Sequence, residues 1–239
     1  MLQISETASS RSRNAKPEKS ERRDSRTRVV SIEDFVSKLS TMRGDGFFNP
    51  YSDHCDQFDQ LDAPAIRRRN LQAYLEGCLD HGARTIWIAR DLGYRGGRRT
   101  GLPLTDEAHL DAAIKVCGRS NIVRATTGEL VAERTASVVW SLLRDIHEPV
   151  VLWNVFPFHP HEHGNPLSNR QHTRRERETT LPLFDELRSI FKPSRIFAIG
   201  RDAQYAMSSA GIQAVPVRHP SYGGQTEFTK KVRHAYSMS

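Results

Sequence analysis

The sequence predicts an α/β protein, a three-layer α/β/α sandwich with a short central parallel sheet. Two observations carry this. Four short apolar runs, near 85–89, 149–153, 195–199 and 213–217, read as strands bounded by polar or glycine-rich sequence. Longer segments with helical spacing of apolar residues separate them, and strands alternating with helices make parallel βαβ units covered on both faces.

The elements follow in chain order. Residues 1–28 hold eight Lys/Arg against four Asp/Glu and almost no apolar groups. Such a tail cannot bury enough surface to offset the entropy of ordering, so a disordered basic tail is expected, followed by one domain over 29–239. Ser31 with Asp34 reads as the N-cap of a helix over about 32–43. Pro64 opens a long amphipathic helix with Ile66, Leu71, Tyr74, Leu75 and Leu79 on one side, stopped by Gly82. Strand 85–89 is next. Thr105, Asp106 and Glu107 start a helix to about Val116, the acids suiting its N-terminus. A weak strand is expected at 122–124 and a helix over 131–146. After strand 149–153 a polar loop runs to Arg170. A helix over about 174–191, a strand at 195–199, a helix over 201–210, a strand at 213–217 and a helix over 225–236 complete the chain.

The totals bound the class. A chain of 239 residues suits one well-buried body. No apolar run approaches the roughly 20 residues of a membrane helix, and the N-terminus lacks the apolar core of a secretory signal. Three scattered cysteines, Cys55, Cys78 and Cys117, form no disulfide framework and no zinc or iron–sulfur spacing. A reduced, cytoplasmic protein is the expectation. The net charge of +7 favours polyanion partners, DNA or RNA.

Parallel sheets bind ligands beyond the carboxyl ends of their strands. Three strand-end segments stand out there: 89-ARDLGYRGGRRTGLPLTDE-107, 153-WNVFPFHPHEHGNP-166 and 217-VRHPSYGGQ-225. The first sets a lone acid, Asp91, at the mouth of a strand beside a basic glycine-rich loop. That loop is not a P-loop, since it lacks the Gly-Lys-Ser/Thr ending. A GxGxxG turn with an acidic ribose ligand is also absent, which weighs against a small-molecule nucleotide enzyme. His159, His161 and His163 have a spacing that can ligate zinc, but no acidic partner set accompanies them, so a polar loop over the site is expected and no metal. Arg174, Arg175 and Arg177 alternate with Glu176 and Glu178 as an exposed helix face.

In this order (strand, acid and Gly loop, then strand and Trp-Asn, then strand and His-Pro-Ser), the three segments resemble the uracil-DNA glycosylase superfamily. The resemblance covers roughly residues 45–236. It implies DNA as partner, a monomer, no cofactor, and hydrolysis of the N-glycosidic bond of a flipped-out base. Asp91 then stabilises the oxocarbenium-like sugar and orients water, His219 donates to the base oxygen as charge builds there, and Asn154 reads a pyrimidine edge. Gly93, Tyr94, Leu104 and Phe156 surround the base. Arg95, Arg98 and Arg99 meet phosphate or form a solvated rim. Ser221, Tyr222, Gly223 and Gly224 form the loop that enters the duplex, with Tyr222 as its wedge. The four-cysteine iron–sulfur branch does not fit the cysteine count.

The departures carry information of their own. Arg90 and Leu92 flank the acid where well-known members have Gln or Glu and Pro. Gly93 stands where the thymine-excluding branch has Tyr, and Leu104 where the family has a stacking aromatic, a loss of about 1–3 kcal/mol of stacking. Both changes imply a wider pocket, suited to a bulky 5-modified pyrimidine such as hypermodified phage DNA carries, and hence a defence enzyme; uracil repair is the other substrate reading. A non-catalytic reader of modified or damaged DNA is the rival. Each motif also has a plainer reading: Asp91 as a loop cap, Asn154 as a turn residue, His219 as a packed strand-end histidine.

Overall fold

The computed structural model describes residues 30–221 and 223–238. The basic tail expected over 1–28 lies outside the described residues. The chain runs through α1 (Ile32–Thr41), β1 (Phe47–Phe48), α2 (Ala63–Asp80), β2 (Thr85–Asp91), α3 (Gly97–Thr100), a 3-10 turn (Glu107–His109) and α4 (Leu110–Cys117). It continues through α5 (Arg134–Leu143), β3 (Val150–Phe156), β4 (His159–Pro160), α6 (Arg174–Phe191), β5 (Arg195–Ile199), α7 (Arg201–Ser209), β6 (Val215–Val217) and α8 (Gln225–Ala235).

Four strands form one parallel sheet in the order β3-β2-β5-β6. The two-residue period of a strand explains its two buried faces. Trp87 pairs with Leu152 and Phe197, and Phe228 of α8 and Tyr236 pack against Trp87. Ile88 pairs with Trp153 and Ala198, and Phe35 of α1 packs on Trp153. Helices on both faces complete the three layers that the apolar runs predict. The polar partners are internal: Tyr74 Oη donates to the Val150 carbonyl at 2.8 Å, and Trp87 Nε1 to Tyr236 Oη at 3.1 Å.

Caps fix the helix starts. Ser31 Oγ accepts from the Asp34 amide at 3.0 Å. Thr173 and Glu176 form a reciprocal capping box at the start of α6. β1 and β4 pair antiparallel, and Phe47 stacks on Phe158 with 5.1 Å between ring centroids. Arg170 Nη2 donates to the Gly46 carbonyl at 2.8 Å. This pair of short strands therefore ties the polar loop after β3 to the segment preceding α2.

Four expectations change. Residues 122–124 form no strand, because the Asn70 side chain takes both hydrogen bonds of Val123: Nδ2 to its carbonyl at 2.7 Å, and its amide to Oδ1 at 3.0 Å. The helix expected from 131 starts at Arg134. Glu107 Oε2 holds the Val131 amide at 2.9 Å and Asp106 Oδ2 the Glu133 amide at 2.5 Å. Asp106 and Glu107 thus secure a neighbouring chain segment, and the α-helix after them begins only at Leu110. Leu79 is 42% exposed near the end of α2 and does not join its buried side.

Candidate active site

The first strand of the sheet in sequence order, β2, has the second, β3, on one side and the third, β5, on the other. At such a switch point the connections diverge and leave a crevice above the strand ends. A cleft of about 1080 Å³ opens there, and Asp91, Gly200, Asp202 and His219 line it.

Asp91 closes β2, and its side chain is 5% exposed. Its Oδ2 accepts from Arg90 Nε at 2.5 Å, and its Oδ1 accepts from His172 Nδ1. Arg90 also reaches Asp202 Oδ2 at 3.2 Å, and Gln171 Nε2 donates to Asp202 Oδ1 at 2.8 Å. His172 and Gln171 come from the end of the polar loop, just before the cap of α6. Both carboxylate oxygens of Asp91 are therefore engaged, by a guanidinium and an imidazole.

His219 follows β6. The backbone of Gly200, at φ +85°, passes close enough that a Cβ there would sit 3.3 Å from the His219 Cβ. The Ser221 amide donates to His219 Nδ1 at 3.2 Å. Burial, with the Arg90 charge second, holds the imidazole below its ordinary pKa. A neutral ring that accepts at Nδ1 carries its proton on Nε2. Gly224 is required for this turn, since a Cβ there would lie 2.1 Å from the His219 carbonyl oxygen.

The other expected residues divide. Gly93, Leu104 and Ser221 line the same cleft. Leu104 holds φ +53°, a left-handed conformation that costs a non-glycine residue about 1 kcal/mol or more. Asn154 lies in β3 beside Ala89; its Nδ2 donates to the Asp91 carbonyl at 2.9 Å. Its Oδ1 is buried and has no hydrogen-bond partner among the described residues. Arg95 is exposed. The Tyr94 amide donates to Asn169 Oδ1 at 3.1 Å. Gly223 is exposed at φ +77°, and Tyr222 lies outside the described residues.

Three placements are corrections. Phe156 is buried in the core between Phe47, Phe158 and His172, away from the cleft lining. Arg98 points inward: its guanidinium lies 3.8 Å from the Phe48 ring centroid, and Nη1 donates to His159 Nδ1 and the Pro166 carbonyl. Arg99 stacks 4.1 Å from the Phe58 centroid and pairs with Glu107 at 3.1 Å. Neither arginine faces phosphate, because aromatic faces and internal acceptors hold both heads. His159 has both ring nitrogens occupied, Nδ1 by Arg98 and Nε2 by the Ser168 carbonyl. Burial and the Arg98 charge push it down to about 3.

Several cleft residues carry no local signal in the sequence. His172, which touches the cleft only through Asp91, is one; nothing around it distinguishes it from the other loop histidines. Glu133 is another, at the N-cap of α5 with its side chain in the cleft. Arg201, Arg218 and Lys231 are exposed cations of the lining. Among the described residues, no group of three or more His, Cys, Asp or Glu could hold a metal ion, and no helix is long and apolar enough to cross a membrane.

Among solved structures, the chain is similar to the crystal structure of wild-type Pedobacter heparinus SMUG2, with a TM-score of 0.60 and 14% identity over 87% of this chain and 97% of that one. No family model and no curated protein sequence matches it. The likeness is one of fold, and it extends across the α/β/α architecture that frames the cleft.

Proposed function

We propose that this chain is a monofunctional DNA glycosylase that hydrolyses the N-glycosidic bond of a flipped-out pyrimidine without a cofactor. One observation carries the reading: Asp91 and His219, from separate strand ends, line one cleft at the switch point of the sheet. The fold shared with SMUG2, of the uracil-DNA glycosylase superfamily, supports it.

The residues divide the work as follows. The exposed cations Arg201, Arg218 and Lys231 favour entry of a phosphodiester strand. His219 Nε2–H donates to a carbonyl oxygen of the base as negative charge gathers there. The C1′–N bond breaks, and its electron pair leaves with the base. Asp91 faces the cationic sugar and orients the water that attacks C1′. The water's proton passes to the Asp91 carboxylate and on to solvent. His172 and Arg90 hold the carboxylate in place. Asn154 Oδ1, buried without a partner, suits a ring N–H of the base.

Leu104, with the part of the Gly93 space that the Glu133 carboxyl leaves, supports a pocket that admits a 5-substituent, the kind of base found in hypermodified phage DNA. On that substrate the enzyme serves in defence; on uracil it serves in repair. A second reading, a non-catalytic reader, is favoured by one observation: both Asp91 oxygens already have partners.

The test is abasic-site detection on oligonucleotides carrying uracil or a 5-modified pyrimidine, with the intact protein and with Asp91→Ala. Abasic sites that vanish in the variant are expected. Borohydride is expected to trap no covalent adduct, despite Lys231 at the rim. DNA binding with no abasic sites on any substrate would move the assignment to the reader.

A further inference from the structure

One ionisable group in the cleft has no part in the mechanism above. Glu133 precedes α5, and Asp106 fixes its backbone amide at 2.5 Å. Its carboxylate turns back between two glycines of the loop after β2. A Cβ on Gly93 would sit 3.3 Å from Oε1, and a Cβ on Gly96 would sit 2.1 Å from Oε2. The space that glycine leaves at position 93 is thus partly filled by this carboxyl, which narrows the pocket implied by the sequence. The carboxyl makes no hydrogen bond or ion pair with any described residue.

The chemistry of the neighbouring groups indicates what it could bind. Asn154, 0% exposed and outside the cleft lining, has spent its amide donor on the Asp91 carbonyl. His219 offers a donor at Nε2. A 2,4-dioxo pyrimidine presents acceptor, donor, acceptor along its O2, N3–H and O4 edge. His219 supplies a donor for one of the two carbonyls, and a second donor is wanted for the other. A carboxyl in its acid form is such a donor.

We infer that Glu133 is a specificity residue of this site, donating in its acid form to the second carbonyl of a 2,4-dioxo pyrimidine and so selecting that class against 4-amino pyrimidines. This rests on the glycosylase reading for its setting. The protonation state is suitable: burial, then repulsion from Asp106, raises Glu133 to about 7, with Arg95 opposing. Asp106 and Arg95 are the charged groups that bear on it most, and Asp91 and His219 stand in the same cleft. Above neutrality the carboxyl ionises, the donor is lost, and two acceptors face each other.

Titration of free uracil and free cytosine into the protein tests this, from about pH 5.5 to pH 8.5, with Glu133→Gln and Glu133→Ala compared. Uracil affinity is expected to fall about tenfold per pH unit once the carboxyl ionises, with cytosine bound more weakly at the acid end. Glu133→Gln keeps a neutral donor, so it is expected to retain uracil affinity and lose the pH dependence. Glu133→Ala is expected to bind uracil about 10- to 100-fold more weakly, from loss of a buried hydrogen bond. Equal affinity in wild type and Glu133→Ala, or a pH dependence that survives in Glu133→Gln, overturns the inference, as does absence of uracil binding in wild type. Free-base binding decides this point and abasic-site formation decides the glycosylase reading, so each can fail alone.

Discussion

His172 donates through Nδ1 to Oδ1 of Asp91 across 81 residues of sequence, and the two side chains are 2% and 5% exposed. The pair joins the end of β2 to the residue just ahead of α6. A carboxylate held between this imidazole and Arg90 has little rotational freedom, which is the preorganisation a site needs for a cation that forms only transiently.

His172→Ala is expected to lower abasic-site formation about 10- to 100-fold through loss of that orientation. KM should change less than kcat. His172→Asn, which keeps a donor, should recover part of the loss. Single-turnover rates with saturating enzyme read both effects, and equal rates in all three proteins would refute a positioning role.

Glu133 also bears on stability. Its folded-state pKa is raised, so the folded protein holds this proton more tightly than the unfolded chain does. The resulting stability is present at acid pH and drains away between the ordinary glutamate range and about 7. Glu133→Gln is therefore expected to be more stable than wild type by about 1–3 kcal/mol near pH 8 and nearly equal near pH 4. Urea midpoints at the two pH values measure the difference.

The loop arginines separate into two kinds. Arg98→Ala leaves Phe48 and the His159 acceptor without the guanidinium, and Arg99→Ala takes from the buried Glu107 one of its two arginine partners, leaving Arg124. Each should cost about 1–3 kcal/mol of stability, with the salt dependence of DNA binding unchanged in whatever folds. Arg95→Ala, on the exposed side, should do the reverse: an unchanged melting temperature and a salt slope smaller by about one.

Gly224→Ala places a methyl against the His219 carbonyl oxygen. The turn that aims the imidazole must open, and a loss of about 100-fold in base release is expected, with smaller effect on DNA affinity. Gly223→Ala meets no atom of the described residues within contact distance, so its cost comes from the +77° φ, about 1 kcal/mol.

Much of the fold was legible because buried strands and amphipathic helices leave periodic marks. Strand 195–199 and helix 174–191 coincide with β5 and α6. The failures share a cause. At 122–124 and 131–133 a distant side chain, from Asn70, Asp106 or Glu107, takes the backbone hydrogen bonds, and no local window reveals such a partner. The site followed the same division. Asp91 and His219 stand at strand ends and could be found there. Arg98 and Arg99 look like phosphate ligands in a basic loop, yet aromatic faces from residues 48 and 58 draw them inward. His172 reaches Asp91 from a loop and Glu133 reaches the cleft from a cap position, where sequence carries no periodic mark.

The strand order has a consequence for how the protein comes into being. Thr85 pairs with Val150 on one side and with Arg195 on the other, so no sheet contact of β2 is made by a hairpin. Each pairing closes a long segment of chain before any ladder bond rewards it, and such topologies fold slowly. Asp91 meets His172 only when the β2–β3 crossover has docked and the chain has run on to α6, and His219 arrives after two further strands. The nascent chain on a ribosome therefore carries an incomplete site until His219 has emerged, and the proposed chemistry waits on the closing of the sheet.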